Sequence, residues 1–227
     1  MHQILIADDH PLFRAALRAA ATEAIPGVGI HEADSLESVL QTLDAQPDIE
    51  LLLLDLHMPG NHGLAGLASI RAQHPVVAVM VVSANDDPLI VRRALDFGAA
   101  GFLPKSSGLD DLNAAISTIL NCGQWLPESI RATVLRTRSS NSDADMASKL
   151  SSLSPQQFRV LRMVADGLLN KQIADRLNVQ ERTVKAHVSA IFERLGVRNR
   201  TQAGIVLREL ELTDPGRVPM MQGQARP

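Results

Sequence analysis

Apolar and polar positions follow two different patterns along this chain of 227 residues. In the first half, short and continuous apolar runs are typical of strands in a parallel sheet that is covered on both faces. These runs predict five strands, at residues 3–7, 28–33, 51–55, 76–83 and 101–103. Apolar residues at helical spacing predict five helices, at residues 11–24, 35–45, 64–73, 88–97 and 109–120. Five strand–helix units favour an α/β fold with a doubly wound five-stranded parallel sheet.

The pattern changes after residue 120. Residues 127–135 predict a short helix, and residues 136–152 are typical of a linker, because they are rich in Ser and carry almost no large apolar side chain. A small all-α four-helix domain is predicted by four further helical patterns, at residues 155–166, 171–177, 183–195 and 201–210. From residue 214 onward, three prolines and two glycines predict a disordered tail.

We therefore expect four regions in the chain. They are an α/β domain at residues 1–122, a linker with a short helix at 123–150, a helical domain at 151–212 and a disordered tail at 213–227.

Charge is distributed unevenly between the two domains, although the net charge is only −3. Residues 1–120 hold 6 Lys and Arg against 15 Asp and Glu, whereas residues 151–210 hold 10 against 5. The basic domain is therefore the candidate for binding nucleic acid. A single cysteine, Cys122, fits a reducing compartment. No apolar run approaches the ~20 residues of a membrane helix, so we expect a cytoplasmic protein with no membrane partner.

Carboxylates close two of the predicted strands. Asp55 ends the run Leu51–Leu54 and is followed by a Pro-Gly breaker, and Asp8-Asp9 end the first run. Because the carboxyl ends of parallel strands meet at one edge of a sheet, these side chains should gather there. Three carboxylates in one pocket would be unfavourable without a cation.

This set of residue types suits aspartyl phosphorylation. Asp55 would be the nucleophile, and Ser83 and Lys105, which follow two further strands, would bind the phosphoryl oxygens. Magnesium suits such a site, since it prefers oxygen ligands and keeps several waters. Its expected ligands are Asp9, Asp55 and the backbone carbonyl of His57, with Asp8 acting through water.

At these positions residues 1–120 resemble the receiver domain of two-component response regulators. The matching residues are Asp8, Asp9, Asp55, Met58-Pro59-Gly60, Ser83 and Lys105. The resemblance implies a flavodoxin-like fold, and it implies that Phe102, three residues before Lys105, is an aromatic switch. We also hypothesise that His57 and Asn85 set how long the phosphoryl group survives.

The basic domain has the plan of a helix-turn-helix. Ser154-Pro155 predicts a capped helix start, Gly167 ends that helix, and a short helix and a tight connection precede the longest helix. In such motifs the second helix enters the major groove.

Residues 153–210 resemble the LuxR-type DNA-binding domain. The matching residues include Leu153-Ser154-Pro155, Asn170-Lys171, Thr183-Val184-Lys185, His187-Val188, Ile191 and Arg200. Two positions depart from the family pattern, because Gln157 replaces a usual Glu and Ser189 replaces a frequent basic residue.

Roles in DNA binding follow from the side-chain chemistry. Lys185 can read guanine, and Ala186 can contact a thymine methyl group. Phosphate contacts, which position the protein without specifying sequence, are expected from Thr183, His187, Arg194, Arg198 and Arg200. Arg182 and Ser189 complete the outward face of the helix.

The two resemblances together identify a response regulator of the NarL/FixJ type that acts as a transcription factor. They imply that a sensor histidine kinase phosphorylates Asp55. Phe102 would then turn inward, the receiver would stop covering the recognition helix, and the protein would dimerise on an inverted-repeat site in double-stranded DNA. RNA polymerase is a further expected partner. The only catalysis expected is the protein's own Mg²⁺-dependent phosphoryl acceptance and dephosphorylation.

Several alternatives stay open at this point. The dimer could form through the first and fifth helices or through the face near Phe102, and regulation could be activating or repressing. One rival is a phosphohydrolase with an aspartate nucleophile, which would need acids two residues apart after the first strand. The other is an interaction protein that keeps the fold without the phosphorylation switch.

Overall fold

The N-terminal domain is a parallel five-stranded sheet between helices. The computed structural model describes residues 1–61, 63–137 and 141–210. The strand order is β2-β1-β3-β4-β5, which confirms the predicted doubly wound α/β fold. The elements in chain order are β1 (Gln3–Ala7), α1 (Pro11–Ala24), β2 (Gly29–Ala33), α2 (Leu36–Ala45), β3 (Leu51–Asp55), α3 (Leu64–Gln73), β4 (Ala78–Ser83), α4 (Pro88–Asp96), β5 (Gly101–Pro104) and α5 (Leu109–Leu120).

The central strand β3 explains why its sequence is apolar at every position before Asp55. Leu51 and Leu53 pack with α1 and α5 on one face of the sheet, whereas Leu52 and Leu54 pack with α2, α3 and α4 on the other. All four leucines are fully buried. Each contributes about 1.5–3 kcal/mol by leaving water, so β3 anchors both layers.

The chain's only tryptophan extends the edge of the sheet at β5. Trp125 is 8% exposed and forms an isolated parallel bridge with Gly101. Its carbonyl accepts a hydrogen bond from the Phe102 amide at 3.2 Å. The segment after α5 is therefore fixed against the strand that leads to Lys105.

The described residues that follow Pro127 form six helices. They are α6 (Glu128–Arg136), α7 (Asn141–Ser151), α8 (Pro155–Ala165), α9 (Asn170–Leu177), α10 (Glu181–Leu195) and α11 (Arg200–Glu209). Helix α8 begins with a capping box, in which Ser154 Oγ accepts from the Gln157 amide at 3.3 Å and Gln157 Oε1 accepts from the Ser154 amide at 2.9 Å. Gln157 therefore accepts the capping hydrogen bond that Glu usually accepts at this position.

The stretch at residues 136–152, predicted as a linker, contains helix α7. Few apolar residues are needed, because Met146, Ala147 and Leu150 lie on one face and pack into the main core. Leu150 is fully buried. The prediction was wrong here because tertiary packing outweighs the Ser-rich composition. The predicted disordered tail at 213–227 lies outside the described residues.

Helix α3 joins the two domains. Residues 64–70 are buried without interruption, because α3 packs on apolar residues of β3 and β4 on one side and on α7 and α8 on the other. One continuous cluster of buried apolar side chains therefore runs from the sheet into the C-terminal helices. Within the residues described, no helix is long and apolar enough to cross a membrane.

We predict that Leu150→Ala lowers the free energy of unfolding by ~2–5 kcal/mol, because it leaves a cavity where α7 meets the core. The matched control is Leu135→Ala on α6, whose side chain is 62% exposed and should matter by less than about 0.5 kcal/mol. Urea denaturation of both variants measures the difference. Equal losses would show that α7 does not pack as described.

Candidate functional site

Four side chains from the ends of β1 and β3 converge at the carboxyl edge of the sheet. One ligand atom from each of Asp8, Asp9, His10 and Asp55 lies within 4.8 Å of the others. Asp8 and Asp55 are each only 1% exposed. The predicted gathering of the three carboxylates is thus present in the fold.

Lys105 provides the positive charge that these carboxylates need. Its Nζ lies 2.6 Å from Asp8 Oδ2 and 2.9 Å from Asp55 Oδ2. The ammonium also lies 4.8 Å from the centre of the Phe13 ring, a cation–π distance. The Lys105 amide donates to the Ser83 carbonyl at 2.8 Å, which fixes the end of β5 beside β4.

The pKa of Lys105 reflects two opposing influences. Burial lowers it, but the hydrogen bonds to Asp8 and Asp55 and their negative charges outweigh burial, so the pKa is raised above its usual 10.5. Because the folded-state pKa is the higher one, this contribution to stability is complete below pH 10.5 and is lost as the pH rises through the raised value. Lys105 therefore keeps its charge throughout the neutral range.

The loop after β3 is hydrogen-bonded to Asp55 at two points. The His57 amide donates to Asp55 Oδ1 at 3.0 Å, and Asn61 Nδ2 donates to the Asp55 carbonyl at 2.9 Å. His57 Nδ1 lies 3.8 Å from Asp55 Oδ1, so the ring lies beside the carboxylate, as the lifetime hypothesis requires. The second member of that hypothesis, Asn85, accepts a hydrogen bond from the Asp87 amide and shapes the start of α4.

Two residues of the site were missed by sequence reasoning. His10 Nδ1 lies 3.1 Å from Asp8 Oδ1 and 2.9 Å from Asp9 Oδ1. Arg14 Nη1 donates to the Asp8 carbonyl at 2.6 Å and so holds the end of β1. Their signal was weak but present, since both follow the acidic pair within one or two helical turns.

A solvent-open cleft of about 510 Å³ gives access to Asp55. It is lined by His10, Leu12, Phe13, Ala16, Asp55, His57, Ala84 and Lys105. The oxygen donors of the acidic cluster match the ligands that Mg²⁺ prefers. Asp8 Oδ2 has Lys105 Nζ as a neighbour at 2.6 Å and Asp9 Oδ1 has His10 Nδ1 at 2.9 Å, and the clustered carboxylate oxygens fit a divalent cation.

Ser83 and Phe102 are both fully buried. Ser83 Oγ accepts a hydrogen bond from the Asn85 amide at 3.2 Å. The Phe102 ring already points inward and packs in the core between the sheet and α4. The expectation that this ring turns inward on phosphorylation is therefore wrong for this conformation. Sequence reasoning could place the ring on β5 but could not determine its rotamer.

Helix α10 presents a polar face to solvent. Its apolar side, including Val184, Ile191 and Leu195, is buried against the other C-terminal helices. The predicted outward residues Arg182, Thr183, Lys185, Ala186 and Ser189 are all exposed. The expectation that the N-terminal domain covers this face is therefore wrong for this conformation, because α7 and α8, rather than α10, pack on α3.

Two of the side chains predicted to contact phosphates form hydrogen bonds within the protein instead. Arg200 is half-buried and donates to the Leu168 carbonyl, and Arg194 donates to the Ser152 carbonyl. Arg198 is exposed and His187 is partly exposed, so both stay available. Lys185 forms a 3.1 Å ion pair with Glu181, which is weak because both groups are exposed.

Comparisons with known proteins cover both domains. Residues 4–117 match the family model of the response regulator receiver domain, and residues 151–207 match that of bacterial regulatory proteins of the luxR family. The glycerol metabolism activator of Pseudomonas putida is 43% identical over 216 residues, which are 94% of this chain and 98% of the relative. The nitrate/nitrite response regulator protein NarL of Escherichia coli (strain K12) is 31% identical, over 89% of this chain and 93% of the relative.

Solved structures show the same architecture. RcsB from Salmonella enterica serovar Typhimurium, bound to promoter P1flhDC in the presence of phosphomimetic BeF₃⁻, is 26% identical with a TM-score of 0.55. The match covers 92% of this chain and 98% of that one.

We predict that Mg²⁺ stabilises the protein through the acidic cluster. At a concentration 100 times its dissociation constant, the ion should raise the free energy of unfolding by ~2.7 kcal/mol. Asp9→Asn should remove most of this gain, whereas Asp111→Asn, an exposed carboxylate on α5, should retain it. Thermal unfolding with and without Mg²⁺ tests this, and an unchanged response in Asp9→Asn would contradict the site.

Proposed function

Because the chain belongs to the response regulators that join a receiver domain to a LuxR-type DNA-binding domain, we propose that phosphorylation of Asp55 controls its binding to DNA. The coarser function, a DNA-binding regulator of transcription, follows from the family itself. The observation that carries the proposal is the convergence of Asp8, Asp9, Asp55 and Lys105 at the carboxyl edge of the sheet, where a cleft gives access to Asp55 and Lys105. The proposal also keeps the division of the chain into a receiver at residues 1–122, a linker at 123–150, a DNA-binding domain at 151–212 and a tail at 213–227. Most of helix α7 then belongs to the linker.

The donor would be a phosphohistidine of a sensor histidine kinase. An Asp55 carboxylate oxygen attacks phosphorus, the P–N bond breaks, and the imidazole leaves with the electron pair and takes up a proton. Asp8, Asp9, Asp55 and the His57 carbonyl would hold Mg²⁺, which when bound neutralises charge on the phosphoryl oxygens. The low exposure of Asp55 restricts the reaction to a donor that fits the cleft.

Phosphorylation changes the charge balance that Lys105 maintains. The new group adds a charge of about −1.5 to −2 beside the ammonium, so Lys105 exchanges carboxylate partners for phosphoryl oxygens. Ser83, at the end of the neighbouring strand, supplies a hydroxyl donor. These movements bias a two-state equilibrium in the face formed by α4, β5 and α5.

DNA binding would use a dimer with one α10 helix in each of two successive major grooves. Two recognition helices in a dimer lie one helical turn of DNA apart, so the site should be an inverted repeat. Lys185 and Ala186 would contact bases, and Arg182, Thr183, His187, Ser189 and Arg198 would face the backbone. The complex of the related RcsB with a promoter supports this use of the domain. The protein would act in the cytoplasm, with RNA polymerase as a further partner.

We predict that acetyl phosphate with Mg²⁺ adds one base-labile phosphoryl group to the protein and that Asp55→Asn abolishes it, because an amide is not a nucleophile here. Asp96→Asn, on α4 outside the acidic cluster, is the matched control and should be phosphorylated normally. Mass spectrometry of intact protein gives the result. A wild-type protein that stays unmodified would favour the phosphorylation-independent interaction protein.

We predict that Lys185→Ala relaxes sequence preference by about 1–3 kcal/mol at one base pair while leaving salt-dependent binding mostly intact. Selection of binding sites from a random-sequence duplex pool, followed by gel shifts on selected and random DNA, measures both quantities. Arg208→Ala, an exposed cation on α11, serves as the control. If both variants select the same sequences as the wild type, Lys185 does not read a base.

A further inference from the structure

A second cleft, of about 500 Å³, lies away from the one that leads to Asp55, and the two share no lining residue. It is lined mainly by α2, by the loop after β3, and by α8 and α9. Leu40, Pro59 and Met163 give it apolar surface. Its volume is within the range of about 300–1,000 Å³ that is usual for small-molecule sites. The cleft is therefore a candidate site for a ligand that the chemistry of Asp55 does not use.

Three guanidinium groups line the wall that the C-terminal helices form. Arg159 and Arg162 lie on α8, and Arg176 lies on α9. Among the described residues, none of the three forms a hydrogen bond or an ion pair. This part of the structure thus gives one wall three cations and no anion in contact with them.

Arg162 is the most confined of the three arginines. Its Nε is buried and lacks a hydrogen-bond partner among the described residues, whereas Arg159 and Arg176 are exposed. A Cβ atom on Gly60 would lie 2.9 Å from Arg162 Nη2, so the glycine leaves room for the guanidinium at this wall. A buried donor without an acceptor costs free energy, and an oxyanion in the cleft would remove that cost.

The electrostatic surroundings of Arg162 also favour an added anion. Burial lowers its pKa, and the carboxylates of Asp166 and Glu37 offset this only in part. The neighbouring Arg159 lowers the pKa further. An anionic group in contact with Arg162 would stabilise the charged form that burial disfavours.

The wall that the receiver forms limits which anion fits. It carries Glu37, Gln41 and Asp44 of α2. These carboxylates would repel a ligand that is anionic along its whole length, such as a nucleoside triphosphate. Carboxylate oxygens and the side-chain carbonyl of Gln41 accept hydrogen bonds, so they suit hydroxyl donors. The matching ligand carries one strongly charged oxyanion at one end and hydroxyl groups at the other.

We propose that this cleft binds the phosphate monoester of a small polyol or sugar, with the phosphate on the three arginines and the hydroxyl groups on α2. A phosphate monoester carries a charge of about −1.5 to −2 at neutral pH, which suits three cations better than one carboxylate does. Guanidinium groups bind phosphate through paired N–H···O hydrogen bonds. The site binds its ligand without phosphorylation of Asp55, so it stands apart from the proposed function.

Titration of the full chain in buffer without Mg²⁺ tests the site. The probes are glucose 6-phosphate, inorganic phosphate and glucose at constant ionic strength, and isothermal titration calorimetry gives the affinities. Glucose 6-phosphate should bind about tenfold more tightly than inorganic phosphate, because its hydroxyl groups add hydrogen bonds, and glucose should not bind. If neither phosphate compound binds, the site is refuted. Equal affinities for the two would overturn the assignment of a polyol.

Three arginine variants locate the binding. Arg162→Lys keeps a charge but loses the paired hydrogen bonds, and Arg176→Gln removes an exposed cation that the fold does not need. Each should weaken binding of glucose 6-phosphate about tenfold. Arg208→Gln, an exposed cation on α11 outside the cleft, is the matched control and should bind as the wild type does. Equal affinities of Arg176→Gln and Arg208→Gln would contradict the proposal, whatever the stability of Arg162→Lys.

Backbone amide NMR shifts show where glucose 6-phosphate sits. The amides of Ser35 and Gly60, which line the cleft, should shift and saturate, and those of Lys185 and Ser189 on α10 should stay in place. Shifts confined to α10 would mean that the phosphate occupies the DNA-binding face, which would overturn the site.

Discussion

Two buried carboxylates, Asp8 and Asp55, share one edge of the sheet because the Lys105 ammonium lies between them. Buried charges that lack a partner are very unfavourable, so this contact stabilises the fold. It joins the ends of β1, β3 and β5, and the cation–π contact with Phe13 adds the first turns of α1. Under the proposed function, a phosphoryl group on Asp55 would disturb the same contacts that stabilise the unmodified protein.

Helix α3 links the region near this edge to the C-terminal helices by packing. It begins nine residues after Asp55 and is buried on the sheet side by strand residues and on the opposite side by α7 and α8. A helix confined on both sides cannot move without changing one of its neighbours, because protein interiors are close-packed. The receiver and the DNA-binding domain thus share one core as well as one chain.

Much of the fold and of the acidic site could be predicted from the sequence. The run Leu51–Leu54 with its terminal Asp55 predicts a buried strand and its carboxyl end, and parallel topology then places Asp8, Asp9 and Lys105 beside it. These predictions succeeded because each depends on local pattern and a general rule of sheet geometry. The doubly wound parallel sheet and the helical C-terminal domain were predicted from similar patterns.

Features that depend on long-range contacts could not be predicted. Helix α7 is stabilised because Leu150 packs in a core whose other residues are mostly distant in sequence. Arg198 and Arg200 lie two residues apart in the same basic segment, yet Arg198 is exposed and Arg200 is half-buried and donates to the Leu168 carbonyl. The Leu64 amide donates a hydrogen bond to the Leu210 carbonyl at 3.2 Å. This contact could not be predicted from the sequence, because it joins backbone groups rather than side chains.

The placement of Trp125 has a practical consequence for following this protein in solution. The indole is the chain's single tryptophan, is 8% exposed, and is fixed by backbone bonds beside the strand that carries Phe102 and leads to Lys105. Its emission wavelength and quenching depend on local polarity, so intrinsic fluorescence registers rearrangements of β5 without an added label. Trp125 is therefore an intrinsic fluorescent probe on the side of the sheet that faces α5.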